Sequence, residues 1–270
     1  MIPMARPAGD GPGRAAGQER RGDEIPMSTF TWKPAEFIPF RDMAAIERCR
    51  AIRKEDLCRH PNPDFRIRIV PGAELGFLWL NDMFYRIKTA ADRNETCVLI
   101  TPQPWPDGYR QLADLINRFR VDCRKLHTFN MDEYANEEGV IAPETWEAGF
   151  FYSMKRYFYA NLDPALRPPE RQIQGLTNRN LKDYGRMIAD LGGADCCYSG
   201  PGWTGHLAFI EPDAPEFDAP LEVWKTFGPR IATLSPFTIA QNSLHGAFGM
   251  SGDLCAVPPK AATIGPAEVI

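Results

Sequence analysis

The chain has no excess of basic residues: 31 Lys and Arg face 35 Asp and Glu, giving a formal net charge of −4 over 270 residues. That balance argues against nucleic acid or an anionic membrane surface as the partner. No apolar run reaches the ~18–20 residues needed to span a bilayer. The longest approach to one, Leu75 to Phe84, is broken by Asn81 and Asp82. A cysteine framework is also missing. The seven cysteines are scattered, odd in number and without C-x2-C spacing, which excludes a disulfide scaffold and a zinc cluster. Cys97 and the pair Cys196 and Cys197 fall in apolar runs that read as core strands, so reduced thiols packed as small hydrophobes are expected.

Residues 1–26 contain no aromatic residue and are dominated by Gly, Pro, Ala and Arg. Such a stretch cannot bury enough apolar area to offset its ordering entropy, so a disordered extension is expected there. It lacks the apolar core of a signal peptide, and Asp10, Glu19, Asp23 and Glu24 argue against a transit peptide. A cytoplasmic protein is expected, and Met27 is a second candidate start. Residues 27–64 hold Phe30, Trp32, Phe37 and Phe40, then a charged helical stretch from Arg41 to Asp56, and read as an N-terminal arm.

What remains, 65–270, alternates strand and helix. Arg66–Val70 reads as a short strand, followed by a helix from about Ala73 to Asp92. Thr96–Ile100 is a continuous apolar run, as a parallel strand buried on both faces should be. Asp107–Arg120 places Leu112, Leu115, Ile116 and Phe119 on one helical face. Leu126–Met131 reads as a third strand, Thr145–Leu162 as a long aromatic helix, Leu181–Leu191 as another, and Ala194–Ser199 as the next strand. The pattern predicts an α/β fold: a doubly wound, mainly parallel sheet with helices on both faces, a Rossmann-like three-layer sandwich. In such sheets ligands bind outside the carboxyl ends of the strands.

Two motifs fall at such ends. One is FNMDEY over 129–134, which carries Asp132 and Glu133. The other is GPGWTGHLAFIEP over 200–212, which carries Gly202, Thr204, Gly205, His206 and Glu211. Taken singly, a carboxylate pair at a strand end is usually a solvated cap, and a His after glycines is usually structural. Together and in this order they resemble the glucosamine-6-phosphate deaminase/isomerase family, which carries FNMDEY at one strand end and G-x-G-x-D-G-H-x-A-F-N-E-P at a later one. The resemblance extends from Arg66 to the Thr263–Gly265 stretch. The more distant 6-phosphogluconolactonases share the glycine-rich core but lack FNMDEY.

The resemblance implies an aldose–ketose isomerisation coupled to loss of ammonia, with no metal and no cofactor. It casts His206 as the group that shuttles a proton during ring opening, Glu211 as the carboxylate that orients it, and Asp132 as the base that moves a proton from C2 to C1. Backbone N–H groups of Gly202 to Gly205 are expected to stabilise oxyanion charge. The partner expected is a small sugar or amino sugar, with no nucleic acid and no membrane; a homo-oligomer is compatible with the sequence.

Three departures from the family pattern bear on the ligand. The family's P-T-G-S-T-P phosphate loop is replaced by Thr101-Pro-Gln-Pro-Trp105-Pro-Asp107, which removes donors and adds bulk and negative charge. Its phosphate-binding Arg, in a T-R-V-A-N-S context, aligns with Ile239. Thr204 stands where the family has an Asp. Trp105 is accordingly expected to offer an aromatic face to an unphosphorylated sugar. The family continues past the position of Ile270 into another strand and a last helix, so a C-terminal truncation is expected. A non-catalytic sugar-binding relative and a lactonase-like hydrolase using His206 are the competing functional readings.

Overall fold

The computed structural model describes residues 33–38, 40, 42–102 and 105–270. The disordered extension expected over 1–26 lies outside the described residues. The chain divides into two compact units, Met1–Ile38 and Pro39–Ile270. Within the first, Ile38 N–H donates to the Ala35 carbonyl.

The charged stretch after Arg41 forms α1 (Met43–Arg50), capped by the Asp42 carboxylate on the Ala45 N–H, and then a short 3-10 turn at Lys54–Asp56. Arg66–Val70 is not a strand. It is largely exposed and pairs with no strand among the described residues, because the chain runs directly into Pro71 and the long helix α2 (Gly72–Asp92). Apolar alternation over five residues cannot make a strand without a neighbouring ladder.

The centre is a four-stranded parallel sheet in the order β4-β2-β1-β5, formed by β1 (Cys97–Thr101), β2 (Leu126–Asn130), β4 (Ile173–Gln174) and β5 (Cys196–Cys197). Every residue of β1 is buried. Its alternation divides the core: Cys97 and Leu99 join one apolar cluster, Val98 and Ile100 the other. The first cluster contains α2, α3 (Pro106–Arg118) and α4 (Phe150–Tyr157); the second contains α5 (Tyr184–Ala189). Helices therefore cover both faces, as the strand–helix alternation requires. The aromatic helix expected over 145–162 is confined to α4 and a following 3-10 turn, because Glu144–Gly149 makes turns. Cys196 and Cys197 are only half-buried, since β5 is an edge strand.

A second, three-stranded antiparallel sheet in the order β3-β7-β6 was not anticipated. It is built from β3 (Asp132–Ala135), β6 (Arg230–Thr233) and β7 (Lys260–Thr263). The chain changes sheets at Met131, whose N–H donates to the Thr101 carbonyl and whose carbonyl accepts from Ile264. The remaining elements, α6 (Leu221–Trp224) and α7 (Pro236–Ser243), flank β6. Among the described residues no helix is long and apolar enough to cross a membrane.

Glu133 ties the second sheet to α4. One carboxylate oxygen accepts from the N–H groups of Tyr134 (2.9 Å) and Phe150 (3.1 Å), the other from Phe151 (2.8 Å). The carboxylate thus satisfies two of the orphan donors at the start of α4, where the helix dipole also favours it. Gly149 leaves room for it, since a Cβ there would lie 3.3 Å from both oxygens. Removing this acceptor strands three buried N–H groups. Glu133→Ala should therefore cost about 3 kcal/mol, lowering the melting temperature by roughly 6–12 °C. A loss below about 1 kcal/mol in denaturant titration would show that the cap is dispensable.

Candidate active site

A cavity of about 260 Å³ opens at the carboxyl ends of β1, β2 and β5. Pro102 follows β1, Met131 and Asp132 follow β2, and Gly200, Pro201 and Gly202 follow β5; His206, Phe209, Gln241 and Asn242 complete much of the wall. Asp132 and His206, some seventy residues apart in sequence, thus face one space.

His206 is 7% exposed, and its orientation comes from behind. Nδ1 lies 3.2 Å from Glu211 Oε2, 2.9 Å from Thr204 Oγ1 and 3.1 Å from Thr238 Oγ1. The Thr204 hydroxyl also donates to Glu211 Oε2 at 2.9 Å, and the Ser235 N–H donates to Glu211 Oε1 at 3.3 Å. Burial drives the Glu211 carboxyl upward, but hydrogen bonds from His206, Thr238 and Thr204 outweigh it and hold the group below its ordinary value. A carboxylate only accepts, so Nδ1 carries the ring proton and Nε2 is the basic nitrogen. On the other side Gly202 lies flat against the imidazole, where a Cβ would come within 2.2 Å of Nε2. Gly205, at φ +83°, closes the loop through its N–H to the Gly202 carbonyl.

Asp132 is 6% exposed, and among the described residues none donates a hydrogen bond to its carboxyl. Burial pushes this group well above the usual carboxylate range, and the neighbouring Glu133 charge adds to the effect. The two acids of FNMDEY are thereby separated: Glu133 is spent on α4, whereas Asp132 is poised at the cavity as a group able to exchange a proton.

Other expectations for the site fare differently. Gly202 lines the cavity, but Thr204, Gly205 and Trp105 are not among its lining residues. Thr204 lies behind His206 and acts on the ring. The Trp105 indole lies over Gly76 of α2 and Gly108 of α3, where a Cβ would fall 2.3 Å and 2.5 Å from it, and its ring centroid is 5.8 Å from that of Trp79. It packs two helices. Asp107 is exposed and ion-paired with Arg110 at 3.0 Å, so it adds no charge to the cavity. The loop's backbone is also largely committed. Gly202 N–H donates to the His206 carbonyl, Gly205 N–H to the Gly202 carbonyl, and Trp203 N–H to Gln241 Oε1 at 2.7 Å. Those three donors are not free for an oxyanion.

Sequence reasoning missed the contribution of α7. Thr238, Gln241 and Asn242 lie in the stretch that aligns with the family's T-R-V-A-N-S. The i, i+4 spacing of Thr238 and Asn242, two buried polar residues on one helical face, was the available signal. No Arg or Lys is among the residues lining the cavity. A larger groove of about 670 Å³ on α3 and α4 does contain Arg110, Lys155 and Arg156, but Arg110 is paired with Asp107, and Lys155 with Glu144 and Glu170. Among the described residues no group of three or more His, Cys, Asp or Glu is placed to hold a metal ion.

No protein-family model matches the chain. It is 31% identical over 186 residues to a glucosamine-6-phosphate deaminase of Caenorhabditis elegans, covering 67% of this chain and 62% of that protein. It is likewise 31% identical over 106 residues to a glucosamine-6-phosphate deaminase of Halothermothrix orenii, covering 39% and 42% respectively. The chain thus spans between 42% and 62% of the length of these two curated relatives. In structure it is similar to a monomeric glucosamine-6-phosphate deaminase of the NagB superfamily, with a TM-score of 0.59 and 21% identity over 75% of this chain and 76% of that one. The chain is a divergent relative of the glucosamine-6-phosphate deaminases and shares their fold.

The Asp132 environment has a measurable consequence. An unfolded Asp ionises near about pH 4. The folded group ionises only at higher pH, so between the two values the folded state holds a proton that the unfolded state has released. Stability therefore falls as pH rises across that interval. Asp132→Asn removes the penalty and should raise the melting temperature at about pH 8, with the gain vanishing toward about pH 4. A pH-independent difference would place the cause elsewhere.

Proposed function

We propose that the protein acts on an amino sugar by ring opening, aldose–ketose isomerisation and loss of ammonia, and that its substrate carries no 6-phosphate. The observation that carries the reaction is the juxtaposition of Asp132 and His206 on one cavity, with the His206 Nδ1 side held by Glu211. Nε2 takes the proton of the C1 hydroxyl and returns it to the ring oxygen as the C1–O bond breaks. Asp132, as carboxylate, then takes the C2 proton and delivers it to C1. The resulting C2 imine adds water and releases ammonia, leaving a ketose. Thr204 in place of the family's Asp leaves Glu211 as the one carboxylate in the cluster around Nδ1. The name of each curated relative above specifies a 6-phosphate substrate.

The altered ligand rests on charge. A buried phosphate dianion without donors or a cation carries an uncompensated desolvation cost. The cavity is lined by no Arg or Lys, and Ile239, at the position of the family's Arg, packs into an apolar cluster with Phe209, Leu234 and Val257. Pro106 and Asp107 occupy the start of α3, where a phosphate would otherwise find N–H groups. The cavity's volume suits a monosaccharide better than a nucleotide or a polymer.

Calorimetry with glucosamine and glucosamine 6-phosphate, combined with an ammonia-release assay, tests both parts. Glucosamine should bind at least as well as its 6-phosphate, and tenfold tighter binding of the phosphate ester would sink the ligand assignment. Asp132→Asn should abolish ammonia release while leaving binding within a few fold, because the amide keeps the shape but cannot accept the C2 proton. In the wild type kcat/KM should rise with pH as Asp132 ionises. Turnover by Asp132→Asn close to that of the wild type would assign the base elsewhere.

A further inference from the structure

Charge that develops on a sugar oxygen during proton transfer needs a hydrogen-bond donor, and the usual suppliers are few in this cavity. Three N–H groups of the Gly202–Gly205 turn are engaged within the protein, and no cation lines the wall. Two lining side chains carry amide donors, Gln241 and Asn242, and of the two only Asn242 has a buried donor left without a partner. Asn242 is 2% exposed, borders the cavity, and its Nδ2 has no hydrogen-bond partner among the described residues. A buried amide left unpaired is costly in any fold and uncommon in native ones. Asn242 alone among the residues with such an atom borders this cavity.

Its placement is fixed by the machinery beside it. Asn242 lies one turn beyond Thr238 on α7, and Thr238 is the residue whose hydroxyl reaches His206 Nδ1. The helix begins at Ser235, whose N–H holds Glu211. The face of α7 that sets the imidazole therefore also carries Asn242 to the cavity. Its neighbour Gln241 is committed through Oε1 to Trp203.

We propose that Asn242 is a substrate-binding residue, its carboxamide N–H donating to an oxygen of the bound sugar. This rests on the amino-sugar reading above. The test is calorimetric binding of glucosamine to the wild type, Asn242→Leu and Asn242→Ala, with a thermal melt of each free protein. Leu keeps the branched shape without a donor, and Ala guards against failure of Leu to fit. Both variants should bind glucosamine about tenfold more weakly or worse, as expected for one lost hydrogen bond. The free Asn242→Leu protein should melt no lower than the wild type, because no native partner is lost. Affinity unchanged in both variants would overturn the assignment, and so would a melting temperature lowered by several degrees in both, which would mark a structural role. A wild type that binds glucosamine while the variants do so equally well defeats this inference alone, whereas a wild type that binds neither glucosamine nor its 6-phosphate defeats the functional reading and this inference with it.

Discussion

Four side chains buried together, Thr204, His206, Glu211 and Thr238, form the contact on which the rest of the site depends. None is more than 7% exposed, and they come from the loop after β5 and from α7. A buried polar cluster of this kind is stable only if its members satisfy one another. Here they do so, through four interactions between 2.9 and 3.2 Å. Two consequences follow. The imidazole is fixed with Nδ1 turned away from the cavity, and Gly202 must be a glycine because the ring occupies the space of a Cβ. Glu211 can remain ionised in the interior because its hydrogen bonds outweigh its burial.

The opposite wall depends on a division between adjacent acids. The chain leaves the parallel sheet at Asn130 and enters the antiparallel one at Asp132, so successive side chains at the crossing serve different structures. Glu133 closes the N-terminus of α4 and holds Phe150, itself a cavity residue, in place. Asp132 receives no such donors among the described residues, and burial, with the neighbouring Glu133 charge, raises it. Burial pushes both carboxyls up, but three N–H donors oppose this at Glu133, so one dipeptide yields a helix-capping group and a group ready for proton transfer, a separation produced by environment and not by residue type.

Parts of this were legible in the sequence. β1 and β2 stood out because strands covered on both faces are continuous apolar runs, and α3 because its apolar residues keep helical spacing. FNMDEY and the glycine-rich loop stood out because chemistry restricts residue type there, and the order of the two motifs pointed to the relatives found. The antiparallel sheet was hidden because β6 and β7 are four residues each, with no run long enough to show a period. Arg66–Val70 looked like a strand since alternation does not reveal whether a partner exists. Trp105 looked like a ligand platform because sequence does not show that Gly76 and Gly108 lie beneath it. The role of α7 was obscured because Thr238 and Asn242 act through neighbours distant in sequence, which only the folded chain brings near.

The buried cluster places the proton of the neutral His206 ring on Nδ1 and leaves Nε2 basic at the cavity. Nitrogen-15 NMR of the imidazoles reads this directly, and with four histidines in the chain the signals can be assigned by single substitutions. In its neutral form the His206 ring should carry its proton on Nδ1 and leave Nε2 unprotonated, and Glu211→Gln should disturb that preference. A His206 ring with its proton on Nε2 in the wild type would contradict the account, because it could not then accept the proton that opens the sugar ring.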